Sequence, residues 1–386
     1  MSKEHASIPF FLCPPFLSLV ALCAFLVPCP AIPCLLNIHG HFSAMKIIEA
    51  NPFQRPVFLF SPTEKPKSQI LLLHGICEHS MRYRHFAESL VAEGYAVAIM
   101  DHQAHGFTIP GTENLRSLID SYSNTPNHVL AHLPKISDEE QKTLYHSTDL
   151  AWKKTCINDL VDDYQALAQW LFDEKHFDKE IDLHVMGHSM GGLIATALAP
   201  RLCKIADINV KRLILSSPAF RPGFNPDSIG RFFLMGVHKF SWFCKSHDSL
   251  YPLSRLFEKI LTLKGSESTK WAANYISDLA IETQIYKDDP LLSQFSRLSF
   301  LFSIETLMVE TLKLAPSYPL PISLACADED KIVNSQGSVD FAASYRKTHL
   351  DEELDLLLFK QLNCHEILRS SQHKVCRDFI IKALEK

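Results

Sequence analysis

Six residues, Gly187 to Gly192, constrain the fold of this chain more than any other part of its sequence. The segment Gly-His-Ser-Met-Gly-Gly follows an apolar, strand-like run that ends at Met186, and it precedes a helical pattern that ends near Leu202. A serine between two glycines in this context is typical of a sharp turn from a strand into a helix, which exposes the serine at the strand end. The glycines leave room where neighbouring backbone comes close. The pattern therefore predicts a strand–turn–helix unit with Ser189 at its apex.

Strand-like and helical runs alternate on both sides of this turn. Gln69–Leu73 and residues 95–100 are apolar runs of strand length, separated by a helical pattern over residues 81–93. The alternation predicts a mostly parallel sheet with helices on both faces, because parallel strands need crossover connections and are buried on both sides. Further expected helices cover residues 157–172, 191–202, 335–346 and 370–384, and further expected strands cover residues 183–186, 211–216, 321–325 and 354–359.

Two insertions interrupt the alternation. Residues 220–317 are rich in aromatic and helical signals and poor in strands, and residues 228–243 place six apolar side chains on one helical face, so we expect a helical cap here. Residues 107–156 are too long for an ordinary connection, and the sequence leaves their role open. The predicted divisions are a leader (residues 1–45), a first core part (46–219), the cap (220–317) and a second core part (318–386).

The leader is unlike the rest of the chain. Residues 8–38 carry no charged side chain, but six prolines break the stretch. Its longest proline-free piece, residues 16–27, is too short for a membrane-spanning helix, which needs about 20 residues. A signal peptide is the less favoured interpretation, because Glu4 follows Lys3 and no clear cleavage site is present. Translation from Met45 and a membrane-touching leader are the alternatives, and a cytoplasmic or peripheral membrane location is expected.

The charge balance and the cysteine spacing exclude two function classes. The chain has 38 Lys and Arg against 43 Asp and Glu, a formal net charge of −5, so no positive field is available to collect phosphate backbones, and nucleic acid is not an expected partner. Eleven cysteines show no C-x-x-C pair and no regular spacing. The sequence therefore predicts no zinc site, and free thiols in a reducing compartment are the simplest account.

A serine hydroxyl becomes a good nucleophile only when a base takes its proton and a carboxylate orients that base. His365 follows the last strand-like run, and Asp330 follows the run before it. The carboxyl ends of parallel strands meet at one edge of a sheet, so Ser189, Asp330 and His365 are the candidate catalytic residues. Asp328 is equally acidic, but the Lys-Ile-Val that follows Asp330 resembles a familiar loop of serine hydrolases and favours Asp330.

The oxyanion of such a reaction needs two backbone N–H donors. One candidate is Met190, directly after the serine, at the start of the expected helix. The other is Ile76, in the loop that follows the strand ending at Leu73, where Gly75 permits a close approach. Met190 and Ile76 are therefore the predicted oxyanion hole.

Five short segments together resemble one family. They are His-Gly-x-x-Glu-His-Ser-x-Arg-Tyr at residues 74–83, Asp-x-x-x-His-Gly at 101–106, the serine turn at 187–192, Asp-Lys-Ile-Val at 330–333 and His-Glu-Ile-Leu at 365–368. Over about residues 50–386 the chain resembles the bacterial lysophospholipase and monoacylglycerol lipase branch of the α/β-hydrolases, often labelled serine aminopeptidase-like. The resemblance implies an α/β-hydrolase fold with an inserted helical cap. It also implies a serine esterase that cleaves a fatty-acyl ester of a glycerol-based lipid through an acyl-enzyme, with a lipid substrate and without metal or cofactor.

Two other functions stay open at this stage. A peptidase that releases N-terminal residues needs carboxylates to hold a free amine, and Glu78 and Asp101 are candidates, although both are more simply explained as structural parts of their loops. A non-catalytic binding protein on the same fold is the third hypothesis. The presence of all three catalytic residue types argues against it.

Overall fold

The computed structural model of the protein describes residues 45–123, 125–152, 155–223, 272–292 and 298–386. The leader and the aromatic helix expected near the start of the cap lie outside the described residues. The membrane contact expected of these two segments therefore stays a prediction, as do the four predicted divisions of the chain.

One sheet holds the named strands of the described residues. The strands are β1 (Lys46–Ile48), β2 (Val57–Phe60), β3 (Gln69–Leu73), β4 (Ala96–Met100), β5 (Leu183–His188), β6 (Val210–Ser216), β7 (Ile322–Ala327) and β8 (Leu354–Phe359). Their spatial order is β1-β2-β4-β3-β5-β6-β7-β8. β2 pairs antiparallel with β1 and β4, and the remaining neighbours are parallel.

Helices cover both faces of this sheet, as predicted. The helices are α1 (Arg84–Ala92), α2 (Leu118–Ser121), α3 (Pro126–His132), α4 (Asp138–Trp152), α5 (Ile157–Asp173), α6 (Met190–Leu202), α7 (Ala280–Asp288), α8 (Leu298–Leu314), α9 (Gln336–Tyr345) and α10 (His373–Leu384). The insertion over residues 107–156 contains α2, α3 and α4, and α3 packs against α7, which belongs to the later part of residues 220–317. α8 packs against α5 and α6.

The side-chain alternation of the strands divides the core into two apolar layers. Leu71 and Leu73 of β3 join the layer that contains α5, α6 and α8. Ile70 and Leu72 of the same strand join the layer that contains α1 and α10. Each fully buried side chain of this kind contributes about 1.5–3 kcal/mol, and the strands supply such side chains to both layers. The sheet is therefore a firm base for the loops at its carboxyl edge.

The fold agrees with the sequence-based expectation of a mostly parallel sheet covered on both sides. β1 and β2, the short antiparallel strands at one edge, were not predicted. Among the helices in the described part of the chain, none combines the length and the apolar character needed to cross a bilayer.

Candidate active site

The turn between β5 and α6 places Ser189 in a strained backbone conformation. Its φ is 53° and its ψ is −120°, a region that residues other than glycine rarely adopt. A Cβ at Gly187 would collide with the carbonyl oxygen of Gly191, and a Cβ at Gly191 would collide with the carbonyl oxygens of Leu73 and His74. Both glycines of the motif are therefore required by close backbone packing, which fixes the serine at the end of β5.

The structure brings Ser189, Asp330 and His365 together from the ends of three strands. His365 Nε2 lies 2.8 Å from Ser189 Oγ, and His365 Nδ1 lies 2.7 Å from Asp330 Oδ2. The other carboxylate oxygen of Asp330 accepts the backbone N–H groups of Ile332 at 2.8 Å and Val333 at 3.1 Å. All three side chains belong to buried residues. The serine, the imidazole and the carboxylate thus form one continuous hydrogen-bonded line.

Asp328, the alternative carboxylate, does not take part in this line. Its Oδ2 lies 4.0 Å from Lys360 Nζ, and its backbone N–H donates to the carbonyl of Phe359 at 3.0 Å. Of the two acidic residues that the sequence offered, the structure pairs Asp330 with His365.

The surroundings of His365 determine its protonation. Burial lowers the pKa of the imidazole, but the charge and hydrogen bond of Asp330, with smaller contributions from Glu78 and Glu366, raise the pKa above its ordinary value. Because a carboxylate only accepts, Nδ1 carries the proton in the neutral ring and Nε2 is free to accept the hydroxyl of Ser189. The imidazole is therefore arranged to remove the proton of the serine.

The segment 272–292 holds the loops around the site. The backbone N–H of His365 donates to the carbonyl of Tyr275 at 2.9 Å. Asp289, which directly follows α7 and is buried, lies 2.9 Å from His79 Nε2 and also accepts the hydroxyl of Tyr122. One segment thus links the loop that carries His365, the loop after β3 and the insertion over residues 107–156.

The predicted oxyanion donors lie on the two loops that flank the serine. Met190 is the first residue of α6, where backbone N–H groups have no partner within the helix. Ile76 lies in the loop after β3, and in the same loop a Cβ at Gly75 would be 3.2 Å from Ser189 Cβ. That loop therefore runs directly beside the serine, and the role of both N–H groups remains a proposal.

A buried charged cluster beside the serine was not assigned a function from the sequence. Arg82 forms an ion pair with Glu366, and its Nε lies 4.0 Å from Glu78 Oε2. His188 Nε2 lies 3.6 Å from Glu78 Oε1. Burial, with the charge of Glu366 adding to it, raises the pKa of Glu78 to about 8. The sequence signal was the presence of both a Glu and an Arg in the short motif over residues 74–83.

A cavity of about 190 Å³ opens next to this cluster. Arg82, His188 and Glu366 line it, together with residues of α3 and α7. Within the described residues, Glu366 Oε1 and two guanidinium nitrogens of Arg82 have no hydrogen-bond partner. The cavity therefore lies against a buried charged cluster whose polar atoms are only partly paired.

Comparisons with known proteins bear on the family and the fold of this chain. A family model described as serine aminopeptidase, S33, matches residues 64–146 and 146–369. Human monoglyceride lipase is 24% identical over 327 residues, which cover 83% of this chain and 82% of that protein. The crystal structure of monoacylglycerol lipase from Paleococcus ferrophilus has a TM-score of 0.55 at 16% identity and covers 86% of this chain and 98% of that chain. A thermostable carboxyl esterase from Bacillus coagulans has a TM-score of 0.57 at 16% identity, with 89% and 98% covered. These structures share the fold of this chain.

Proposed function

The chain belongs to the serine aminopeptidase S33 family of α/β-hydrolases, and from that premise we propose that it is a serine esterase that cleaves the fatty-acyl ester of a lysophospholipid or a monoacylglycerol. The family expected from the sequence motifs is confirmed by the family model, which spans most of the chain. The observation that carries the proposal is the hydrogen-bonded line from Ser189 Oγ through His365 to Asp330.

In the first step, Ser189 Oγ attacks the acyl carbonyl carbon while His365 Nε2 takes the hydroxyl proton. The imidazolium that forms is stabilised by the carboxylate of Asp330, which also keeps the ring in the correct tautomer. Negative charge develops on the carbonyl oxygen, and the N–H groups of Met190 and Ile76 are proposed to donate hydrogen bonds to that oxygen. Each such donor contributes about 2.7–4 kcal/mol to transition-state stabilisation.

The tetrahedral intermediate then collapses. The bond between the acyl carbon and the alcohol oxygen breaks, His365 returns its proton to that oxygen, and the acyl group stays on Ser189 as an ester. In the second half, water attacks the acyl-enzyme, His365 takes a proton from the water, and the same proton returns to Ser189 as the fatty acid leaves. The proposed steps use side chains and backbone N–H groups of this chain, together with water.

The substrate class is proposed on two grounds. The similarity to human monoglyceride lipase extends over most of both chains and favours an acyl ester of glycerol. The cavity whose lining includes Arg82, Glu366 and His188, the residue directly before Ser189, is proposed to receive the glycerol-based leaving group. Contact with a lipid surface through the cap or the leader is part of the proposal, as is a cytoplasmic or peripheral membrane location.

Substrate profiling of the purified full chain tests this function. Monooleoylglycerol, lysophosphatidylethanolamine and a proline aminoacyl arylamide are compared, with Ser189→Ala as the matched control. We expect hydrolysis of at least one of the two lipids, abolished in the variant, and labelling of Ser189 by a fluorophosphonate. Cleavage of the arylamide alone would favour the peptidase, and the absence of both labelling and hydrolysis in folded protein would favour the non-catalytic alternative.

A further inference from the structure

Two buried histidines hold the loop that carries Ile76. His74 and His102 are both fully buried, and their ring centroids are 3.9 Å apart. The backbone N–H of His102 donates to His74 Nε2 at 3.0 Å, and His102 Nε2 donates to the backbone carbonyl of His74 at 2.8 Å. His102, which follows β4, thus forms hydrogen bonds with both the side chain and the main chain of His74.

These contacts determine which nitrogen of His74 carries the proton. A backbone N–H only donates, so His74 Nε2 must accept and the proton of the neutral ring lies on Nδ1. His74 Nδ1 lies 2.8 Å from the carbonyl oxygen of Gly75, which only accepts. Both contacts are satisfied by the same tautomer, in which Nδ1 donates to Gly75.

The carbonyl of Gly75 and the N–H of Ile76 belong to one peptide group. The described residues contain no cis peptide bond, and in a trans peptide the carbonyl and the N–H point in opposite directions. We propose that His74 is a positioning residue, which by holding the carbonyl of Gly75 aims the N–H of Ile76 at the substrate's acyl oxygen. This inference rests on the proposed function, in which that N–H is an oxyanion donor.

The peptide group after Gly75 needs such a hydrogen bond to keep one orientation. Glycine has the widest backbone freedom of any residue, so the peptide after Gly75 is not held by its own sterics. If the peptide rotated, a carbonyl oxygen would take the place of the N–H and would repel the developing negative charge. The hydrogen bond from His74 selects the orientation that attracts this charge.

No other described group competes for the proton of His74. Asp101 Oδ1 is 3.9 Å from His74 Nε2, but it accepts the N–H and the hydroxyl of Ser80, both at 2.6 Å, and Oδ2 accepts the N–H of Phe107 at 2.8 Å. Burial, with the nearby rings of His102 and His105, lowers the pKa of His74 well below its usual range. The ring therefore stays neutral, and Nε2 remains available to the N–H of His102.

Two near-isosteric variants of the full chain separate the contacts of His74. In His74→Asn the side-chain amide nitrogen takes the approximate place of Nδ1 and keeps the donor to Gly75. In His74→Gln the amide reaches the place of Nε2, so it keeps the contact with His102 and loses the donor. We expect kcat of His74→Gln for monooleoylglycerol to fall about 10²-fold with little change in KM, since an oxyanion donor acts in the transition state. His74→Asn should stay within about tenfold of the wild type, which is the rescue.

His105→Gln is the matched control, because it removes a buried imidazole from the same cluster. His105 lies 5.3 Å from the ring of His74, and its Nδ1 donates to the carbonyl of Gln103 rather than to the oxyanion loop. We expect it to retain kcat within a few-fold of the wild type. A kcat of His74→Gln equal to that of the wild type, equal losses in the Gln and Asn variants, or a loss confined to KM would each overturn the proposal.

Crystal structures of the wild type and His74→Gln distinguish this inference from the proposed function. If the wild type cleaves neither lipid, the proposed function fails, while the orientation of the Gly75–Ile76 peptide can still be read directly. A rotated peptide in His74→Gln supports the positioning role, and an unchanged peptide contradicts it.

Discussion

The loop of His365 and the loop of His74 hold the same side chain at the same edge of the sheet, with opposite protonation behaviour. Both imidazoles are buried, and burial lowers the pKa of each. His365 faces the carboxylate of Asp330, which raises its pKa above the ordinary value, whereas His74 faces backbone groups and its pKa stays well below that value. The partner, rather than the depth of burial, decides whether a histidine here carries a proton or orients a neighbour.

The largest test of this comparison removes the carboxylate that faces His365. In Asp330→Asn, His365 loses the charge that stabilises its protonated form and its correct tautomer, and we expect kcat to fall about 10⁴-fold. Hydrolysis of monooleoylglycerol at saturation measures the loss. Asp328→Asn, two residues away, is the control and should remain close to the wild type. Equal losses in the two variants would show that Asp330 is not the partner that matters.

The pH dependence of activity sharpens the comparison. The base must be neutral to act, so activity falls about tenfold for each pH unit below the pKa of His365. Since that pKa is raised, the midpoint of the acid limb should lie above pH 6.5. A kcat/KM profile between pH 5 and 9 measures it. A midpoint below 6.5 would mean that Asp330 does not outweigh burial at His365.

The buried neutral histidines that surround the loop of His74 predict a pH dependence of stability. Burial lowers the pKa of His105 from 6.5 to about 4. Between these values the unfolded chain binds a proton that the folded protein does not, so this contribution is present above pH 6.5 and is lost as the pH falls, by about 1.4 kcal/mol per pH unit.

His105→Gln removes this titration and reveals its size. Relative to the variant, the wild type should lose about 2 kcal/mol of unfolding free energy between pH 6.5 and 5.0. Urea denaturation of both proteins at the two pH values measures the difference. Parallel pH dependence of the two proteins would indicate that folding does not lower the pKa of His105.

The smallest expected effect concerns the backbone of the loop that carries His74 and Ile76. Cys77, next to Ile76, has a φ of 62°, in the left-handed region that favours glycine. Cys77→Gly should therefore be more stable than Cys77→Ala by about 1 kcal/mol, because both variants lack the thiol and differ in the strain on a Cβ. Chemical denaturation measures the difference. If Cys77→Ala is as stable as Cys77→Gly, the loop carries no such strain.

Local patterns explain what was predictable here. The turn at Ser189 follows from the glycine spacing, and the expected strand over residues 183–186 is observed as Leu183–His188. The C-terminal helix begins at His373 rather than near residue 370, because residues 367–369 form a 3-10 turn. β1 and β2 were missed because strands of three and four residues carry little periodic signal.

The contacts among the residues around the site were less predictable from the sequence. The buried cluster of Glu78, Arg82 and Glu366 joins residues that are 284 positions apart in the chain. The sequence context of Glu78 alone favours a structural role and does not indicate these contacts. His102 contacts His74 across 28 positions of sequence, a pairing that no local pattern encodes. The parallel pairing of β3 with β4 brings His74 and His102 together.

The sequence by itself determined the sharp turn at Ser189 and the kinds of chemical groups that follow the later strands, because local sterics and residue spacing act between near neighbours. Only the tertiary structure decided that Asp330 rather than Asp328 meets His365, and which imidazole is disposed to hold a proton. The physical reason is that a pKa depends on the charges and hydrogen bonds around a group, and here those partners come from strands far apart in the chain and adjacent in the sheet.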